Sequence, residues 1–134
     1  MHERLVDTLR LNLVTDSALC GERGVLAVVE AAVAGGVSCV QLREKSLPTR
    51  AFVERARALK AWLAPRGVPL IIISHNLRQV FDLVDRIWVF RQGRIICSRP
   101  KHLTNPEEIV GLITGAIDPA SLRAENGAQE AVAC

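Results

Sequence analysis

The six residues Val68-Pro69-Leu70-Ile71-Ile72-Ile73 form an unbroken apolar run between the helix-stopping Pro65-Arg66-Gly67 and the polar Ser74-His75-Asn76. A strand with one wet face alternates polar and apolar residues, whereas a continuous run predicts burial on both faces, as in a parallel sheet. Parallel neighbours need crossover connections of about a dozen or more residues, usually helical. This run therefore asks for strands and helices in alternation along the chain.

The flanking sequence supplies them. Leu11 to Thr15 is a short apolar run, followed after a Gly-containing turn by the Ala/Val-rich segment Val25 to Ala34, which Gly35-Gly36 closes. Val37 to Leu42 predicts a second strand. Leu47-Pro48-Thr49 opens a helix to Ala64 with Phe52, Val53, Ala56, Leu59, Trp62 and Leu63 at helical spacing. Beyond the central run, Leu77, Val80, Phe81 and Val84 mark a short amphipathic helix, and Ile87 to Phe90 a further strand. Gln92-Gly93 then forms a two-residue turn into Arg94 to Cys97, a hairpin signal. A helix from about Glu107 to Thr114 follows, with Asn105 as N-cap and Pro106 at its first position.

The expected fold class is α/β: one layered domain over 1–117, with a mostly parallel sheet of about five strands and flanking helices. The strands near 11, 38, 69 and 87 are expected to be parallel, and the one at 94 antiparallel on the hairpin edge. Strand order stays open, as does the state, monomer or homodimer. The segment 118–134, rich in Ala and Glu, reads as a disordered tail.

Composition removes several function classes. A formal charge of +3, no Tyr, and Lys and Arg scattered beside acids leave no basic stripe with interleaved aromatics, so no nucleic-acid partner is expected. The apolar runs fall far short of the ~20 residues that span a bilayer, and the mixed-charge N-terminus lacks a secretion signal, so a cytoplasmic location without membrane contact is expected. Cys20, Cys39, Cys97 and Cys134 show no C-x-x-C pair and read as free thiols, Cys39 packed in a strand and Cys134 exposed.

The candidate site lies at the strand ends. Along a strand, Gln41, Arg43 and Lys45 point the same way, so an amide and two cations converge at the carboxyl edge of the sheet. Such edges hold ligands in barrels and open sheets alike, and this chemistry suits an anion. The alternative is a solvated strand end whose cations pair with Glu44 and Glu54. His75, at the end of the central run, faces the same edge; its alternative is an exposed neighbour of a helix cap.

Two resemblances extend this reading. Leu11-Asn12-Leu13-Val14-Thr15-Asp16, Ala34-Gly35-Gly36-Val37, Val40-Gln41-Leu42-Arg43-Glu44-Lys45 and Gly67-Val68-Pro69-Leu70 together resemble thiamine phosphate synthase over about residues 9–73. The resemblance implies a (β/α)8 barrel part over 1–70, in which Gln41, Arg43 and Lys45 grip the pyrophosphate of an aminopyrimidine substrate. Where that family has Asn-Asp after the third strand, this chain has Ser74-His75. From about 67 to 117, Ile71-Ile72-Ile73-Ser74-His75-Asn76, Asp85-Arg86-Ile87, Arg91-Gln92-Gly93-Arg94 and Ile113-Thr114-Gly115-Ala116 resemble the tail of sugar-type ABC transporter ATP-binding subunits. There His75 matches the histidine that contacts the γ-phosphate. The chain has no G-x-x-x-x-G-K-[ST] loop to cradle a triphosphate.

The two resemblances meet within Arg66 to Ile72. They imply an engineered chimera, a barrel fragment joined to a fragment of a P-loop ATPase over 71–117. No evolved catalytic function is then expected, only a weak phosphate- or pyrophosphate-binding edge of Gln41, Arg43, Lys45 and His75. No cofactor is expected, Mg²⁺ entering only with a pyrophosphate ligand. The alternatives are a vestigial thiamine phosphate synthase-like pyrophosphate-binding protein and an ATP-binding fragment.

Overall fold

The computed structural model describes residues 6–125, which fall into two compact units, 1–75 and 76–134. The first unit contains a three-stranded parallel sheet, β1 (Asn12–Val14), β2 (Cys39–Leu42) and β3 (Leu70–Ile72), in the order β1-β2-β3. Between β1 and β2 run a short helix α1 (Ser17–Cys20), a 3-10 turn and α2 (Gly24–Ala34); α3 (Thr49–Leu63) joins β2 to β3. Both crossovers are therefore helical, as the apolar runs demand.

Local chemistry sets the helix limits. Asp16 caps α1 by accepting the Leu19 N–H at 3.1 Å. At the far end of α2, Gly36 takes φ 109°, and the N–H groups of Gly35, Gly36 and Val37 turn back onto carbonyls of the last helical turn. That conformation is open to Gly and strained for other residues. The buried residues of α3, Ala56, Leu59 and Leu63, lie at the three-and-four spacing of one face.

β2 is the central strand, and Cys39, Val40 and Leu42 are all buried. β3 departs from expectation: its residues are only half-buried, and Ile73 just beyond it is 75% exposed. The run looks like a core strand because it is apolar throughout. It is an edge strand of this sheet, with a backbone partner on one side only.

The second unit begins with α4 (Leu77–Leu83), capped by the Asn76 side chain. It continues with β4 (Arg86–Arg91) and β5 (Arg94–Pro100), then α5 (Pro106–Thr114) and α6 (Pro119–Glu125). β4 and β5 pair antiparallel in a sheet of their own. The expected single sheet of about five strands is thus corrected to a three-stranded parallel sheet and a separate two-stranded antiparallel one, within the α/β class. β4 alternates strictly, Ile87 and Val89 buried, Trp88 and Phe90 exposed. That is the pattern of an antiparallel ribbon with one dry face, not of an inner parallel strand. Gln92 and Gly93 both take positive φ, 50° and 75°, the geometry that a tight two-residue hairpin requires.

Val80, Ile87, Val89, Cys97, Ile109, Leu112 and Leu122 form the core of this unit. Asn105 caps α5 by accepting the Glu108 N–H at 2.8 Å, with Pro106 in the first turn. Residues 119–125, expected in a disordered tail, form a helix because Leu122 finds a place in the core. Residues 126–134 lie outside the described residues, and so does Cys134.

Cys20, Cys39 and Cys97 are free thiols. Burial in β2 disfavours the thiolate of Cys39 and lifts its pKa above the usual 9.0. In the unfolded chain that thiol ionises first, so its contribution to stability is intact below pH 9.0 and declines as pH rises through the folded-state value. We expect Cys39 to resist iodoacetamide under native conditions and to react after unfolding, as read by peptide mass analysis. Equal labelling in both states would contradict its burial.

Candidate functional site

The carboxyl ends of β1, β2 and β3 lie side by side because the three strands are parallel, with Val14, Gln41 and Ile71 in register. At this edge, regular pairing of β2 stops at Leu42, yet the alternation of side chains carries on. Leu42 is buried, Arg43 exposed, the Glu44 side chain 2% exposed and Lys45 exposed. Thr15 ties the backbone across the end of the ladder. Its N–H donates to the Gln41 carbonyl, and its buried hydroxyl accepts the Arg43 N–H, both at 3.0 Å. The residue that follows β1 thus fastens the chain on either side of Leu42.

Burial separates two kinds of side chain here. Arg43 and Lys45 are exposed, with Gln41, half-buried, two residues earlier in the same alternation. Leu42 and Glu44 turn inward, and Glu44 accepts from Ser17 Oγ at 2.9 Å and from Arg55 of α3. The expected pairing of the cations with Glu44 and Glu54 does not occur. Arg43 stands 3.9 Å from Asp16 at the end of β1, whereas Glu54 pairs with Arg50. Lys45 has no ion-pair partner among the described residues. The Arg43–Asp16 contact is long and half-exposed, a kind worth little in water, so the guanidinium is available to a stronger anion.

His75 is exposed and follows β3, the neighbour of β2 in the sheet. The strand order brings it to the edge that carries Gln41, Arg43 and Lys45, and no hydrogen bond joins it to them. A cavity of about 440 Å³ between α2 and α3, lined by Arg23, Glu54 and Arg55 among others, includes none of these four residues. Arg43, Lys45 and His75 at the edge are exposed.

The family model described as thiamine monophosphate synthase matches residues 11–129. The chain belongs to the thiamine monophosphate synthase family. It is 42% identical over 118 residues to the thiamine-phosphate synthase of Xanthobacter autotrophicus, covering 88% of this chain and 54% of that protein. Against the thiamine-phosphate synthase of Azorhizobium caulinodans it is 41% identical over 114 residues, 84% of this chain and 53% of the relative. With that of Albidiferax ferrireducens, identity is 56% over 71 residues, 53% of this chain and 32% of the relative. The chain spans about half the length of these relatives or less. No solved structure matches.

Membership in the thiamine monophosphate synthase family corrects two expectations. The match runs without interruption through the Arg66 to Ile72 stretch where a junction was expected, and on past residue 117, so a chimera with an ATP-binding transporter part is not supported. The expected lack of an evolved catalytic function is overturned by the same match and by relatives aligned over most of the chain, all of them thiamine-phosphate synthases. In this chain the motif around His75 is the polar turn between β3 and α4.

Sequence reasoning missed Thr15, Asp16, Ser17 and Arg55 as parts of this edge. Thr15-Asp16-Ser17 at the end of the first apolar run was a signal, since polar residues at a strand end face the same edge as those of its neighbours. Which of them reaches Arg43 follows only from the register of β1 on β2.

Proposed function

We propose that this chain carries the pyrophosphate-holding edge of a thiamine-phosphate synthase. Gln41 donates from its amide, Arg43 presents a planar fork to two phosphate oxygens, and Lys45 adds a compact point charge. The observation that carries the reading is the outward alternation of Arg43 and Lys45 on a strand end fastened by Thr15, in a family of synthases. Fixed cations at a departing pyrophosphate stabilise the charge that develops there, and they act best when already oriented. His75 supplies a weaker contact from the adjacent strand.

Among the described residues no three His, Cys, Asp or Glu side chains gather as a metal site. Mg²⁺ enters this reading only as counter-ion of the pyrophosphate. No helix among the described residues is long and apolar enough to cross a membrane. A cytoplasmic location is part of the proposal, supported by the free thiols of Cys20, Cys39 and Cys97.

Calorimetric titration with pyrophosphate tests the reading. The unaltered chain is expected to bind and the Arg43→Ala, Lys45→Ala variant to lose that binding; no heat from the unaltered chain, or equal affinity in both, dismisses it. His75→Ala is expected to weaken binding only about threefold, less than the loss of one hydrogen bond to a charged group.

A further inference from the structure

Glu44 is the one side chain of the Arg43-Glu44-Lys45 triplet that turns into the protein, and its surroundings are more elaborate than a strand end needs. Its carboxylate is 2% exposed. One oxygen accepts from Ser17 Oγ at 2.9 Å, the first residue of α1, and the other from Arg55 Nη1, at the middle of α3. A buried carboxylate is costly unless it is both paired and hydrogen-bonded, and here both conditions are met from two separate helices. No buried side-chain nitrogen or oxygen among the described residues lacks a partner.

The consequence concerns its neighbours in the chain. Glu44 lies between the two exposed cations, past the last ladder residue of β2. Thr15 holds the backbone at Arg43, but among the described residues no backbone–backbone hydrogen bond is seen from 44 to 46. The side chain of Glu44 is therefore the tie that fixes the segment between Arg43 and Lys45.

We infer that Glu44 is a positioning residue: held by Ser17 and Arg55, it sets the spacing of Arg43 and Lys45 so that the two cations engage the two phosphoryl groups of one pyrophosphate together. This rests on the proposed pyrophosphate site. It predicts a selectivity, because a single phosphate needs no fixed spacing between the cations and a pyrophosphate does.

The test compares pyrophosphate with inorganic phosphate by calorimetry in the unaltered chain, in Glu44→Gln and in the paired Glu44→Met, Arg55→Met variant. Removing both charges avoids a stranded buried ion, so the paired variant is expected to keep its thermal midpoint. The expected result is about tenfold weaker pyrophosphate binding in the paired variant, a smaller loss in Glu44→Gln, and unchanged phosphate binding in both. A merely structural role predicts affinities that follow the thermal midpoint and fall alike for the two anions; that outcome, or full pyrophosphate affinity in a folded paired variant, overturns the inference. If the unaltered chain binds no pyrophosphate, the proposed site fails and this inference falls with it. Should the paired variant not fold, Glu44→Gln decides by the same ratio of affinities.

Discussion

Replacing Arg43 and Lys45 together by Ala is expected to reduce pyrophosphate affinity by about 100-fold or more, measured by calorimetry at low ionic strength. Each side chain offers a charge-assisted hydrogen bond to a phosphate oxygen, a type worth about 1.5–3 kcal/mol. Every 1.4 kcal/mol is tenfold in Kd, so two such contacts give about 100-fold even at the low end. Both side chains are exposed in the free protein, so their loss is not expected to move the thermal midpoint by more than about 0.5 kcal/mol equivalent. Arg43 also releases Asp16, whose 3.9 Å contact is too long and too wet to matter. The single variants distinguish the partners: Arg43→Lys removes the fork and keeps the charge, and is expected to retain less affinity than a simple charge count predicts. A salt series gives a second check, because two fewer phosphate contacts lower the dependence of affinity on salt.

The largest expected loss of stability comes from Glu108→Ala in the second unit. Arg99 is 4% exposed, an unusual place for a guanidinium, and it donates to Glu108 Oε1 at 2.8 Å and to the Leu103 carbonyl at 2.7 Å. The same carboxylate oxygen accepts from Thr104 Oγ1 at 2.7 Å. Deleting Glu108 leaves a buried cation without its counter-charge, a change that costs about 3–5 kcal/mol. It also takes an acid from the first turn of α5, where the helix dipole favours one. We expect the urea midpoint of the second unit to fall by an amount corresponding to about 3 kcal/mol with an unchanged m-value. The paired Arg99→Met, Glu108→Met variant should recover most of that loss, since an apolar pair of similar volume avoids the desolvation of both ions. A loss below about 1 kcal/mol in Glu108→Ala would show that Arg99 finds another partner or reaches water.

How much of this was legible in the sequence differs by element. Asn105, Pro106 and the acids after them announce α5, because capping is chemistry between neighbours in the chain and does not depend on the rest of the fold. Gln92-Gly93 likewise announces its hairpin, a local closure that only positive φ permits. The resemblance to thiamine phosphate synthase over about residues 9–73 agrees with the family match, as its motifs are contiguous stretches of the chain. The segment after Ile73 misled in the opposite direction: a short pattern of apolar strand, polar turn and helix recurs in many α/β proteins, so it resembles more than one family at once. A match across 11–129 outweighs it because it draws on the whole chain.

Determined by the sequence alone were the α/β class, the alternation of elements, the caps and the turn, and the placing of an amide and two cations on one side of a strand end. Each depends on periodicity or on neighbours in the chain, over distances of a few residues. Only the tertiary structure decided that β3 is an edge strand, that β4 pairs with β5 alone, that Thr15 holds Arg43, and that Glu44 turns inward to Ser17 and Arg55. The contacts of Thr15 and Glu44 cross 11 to 28 residues of chain. They exist because strand register and helix packing bring the groups together, and a pattern of residue types records which side a residue faces but not what stands opposite it.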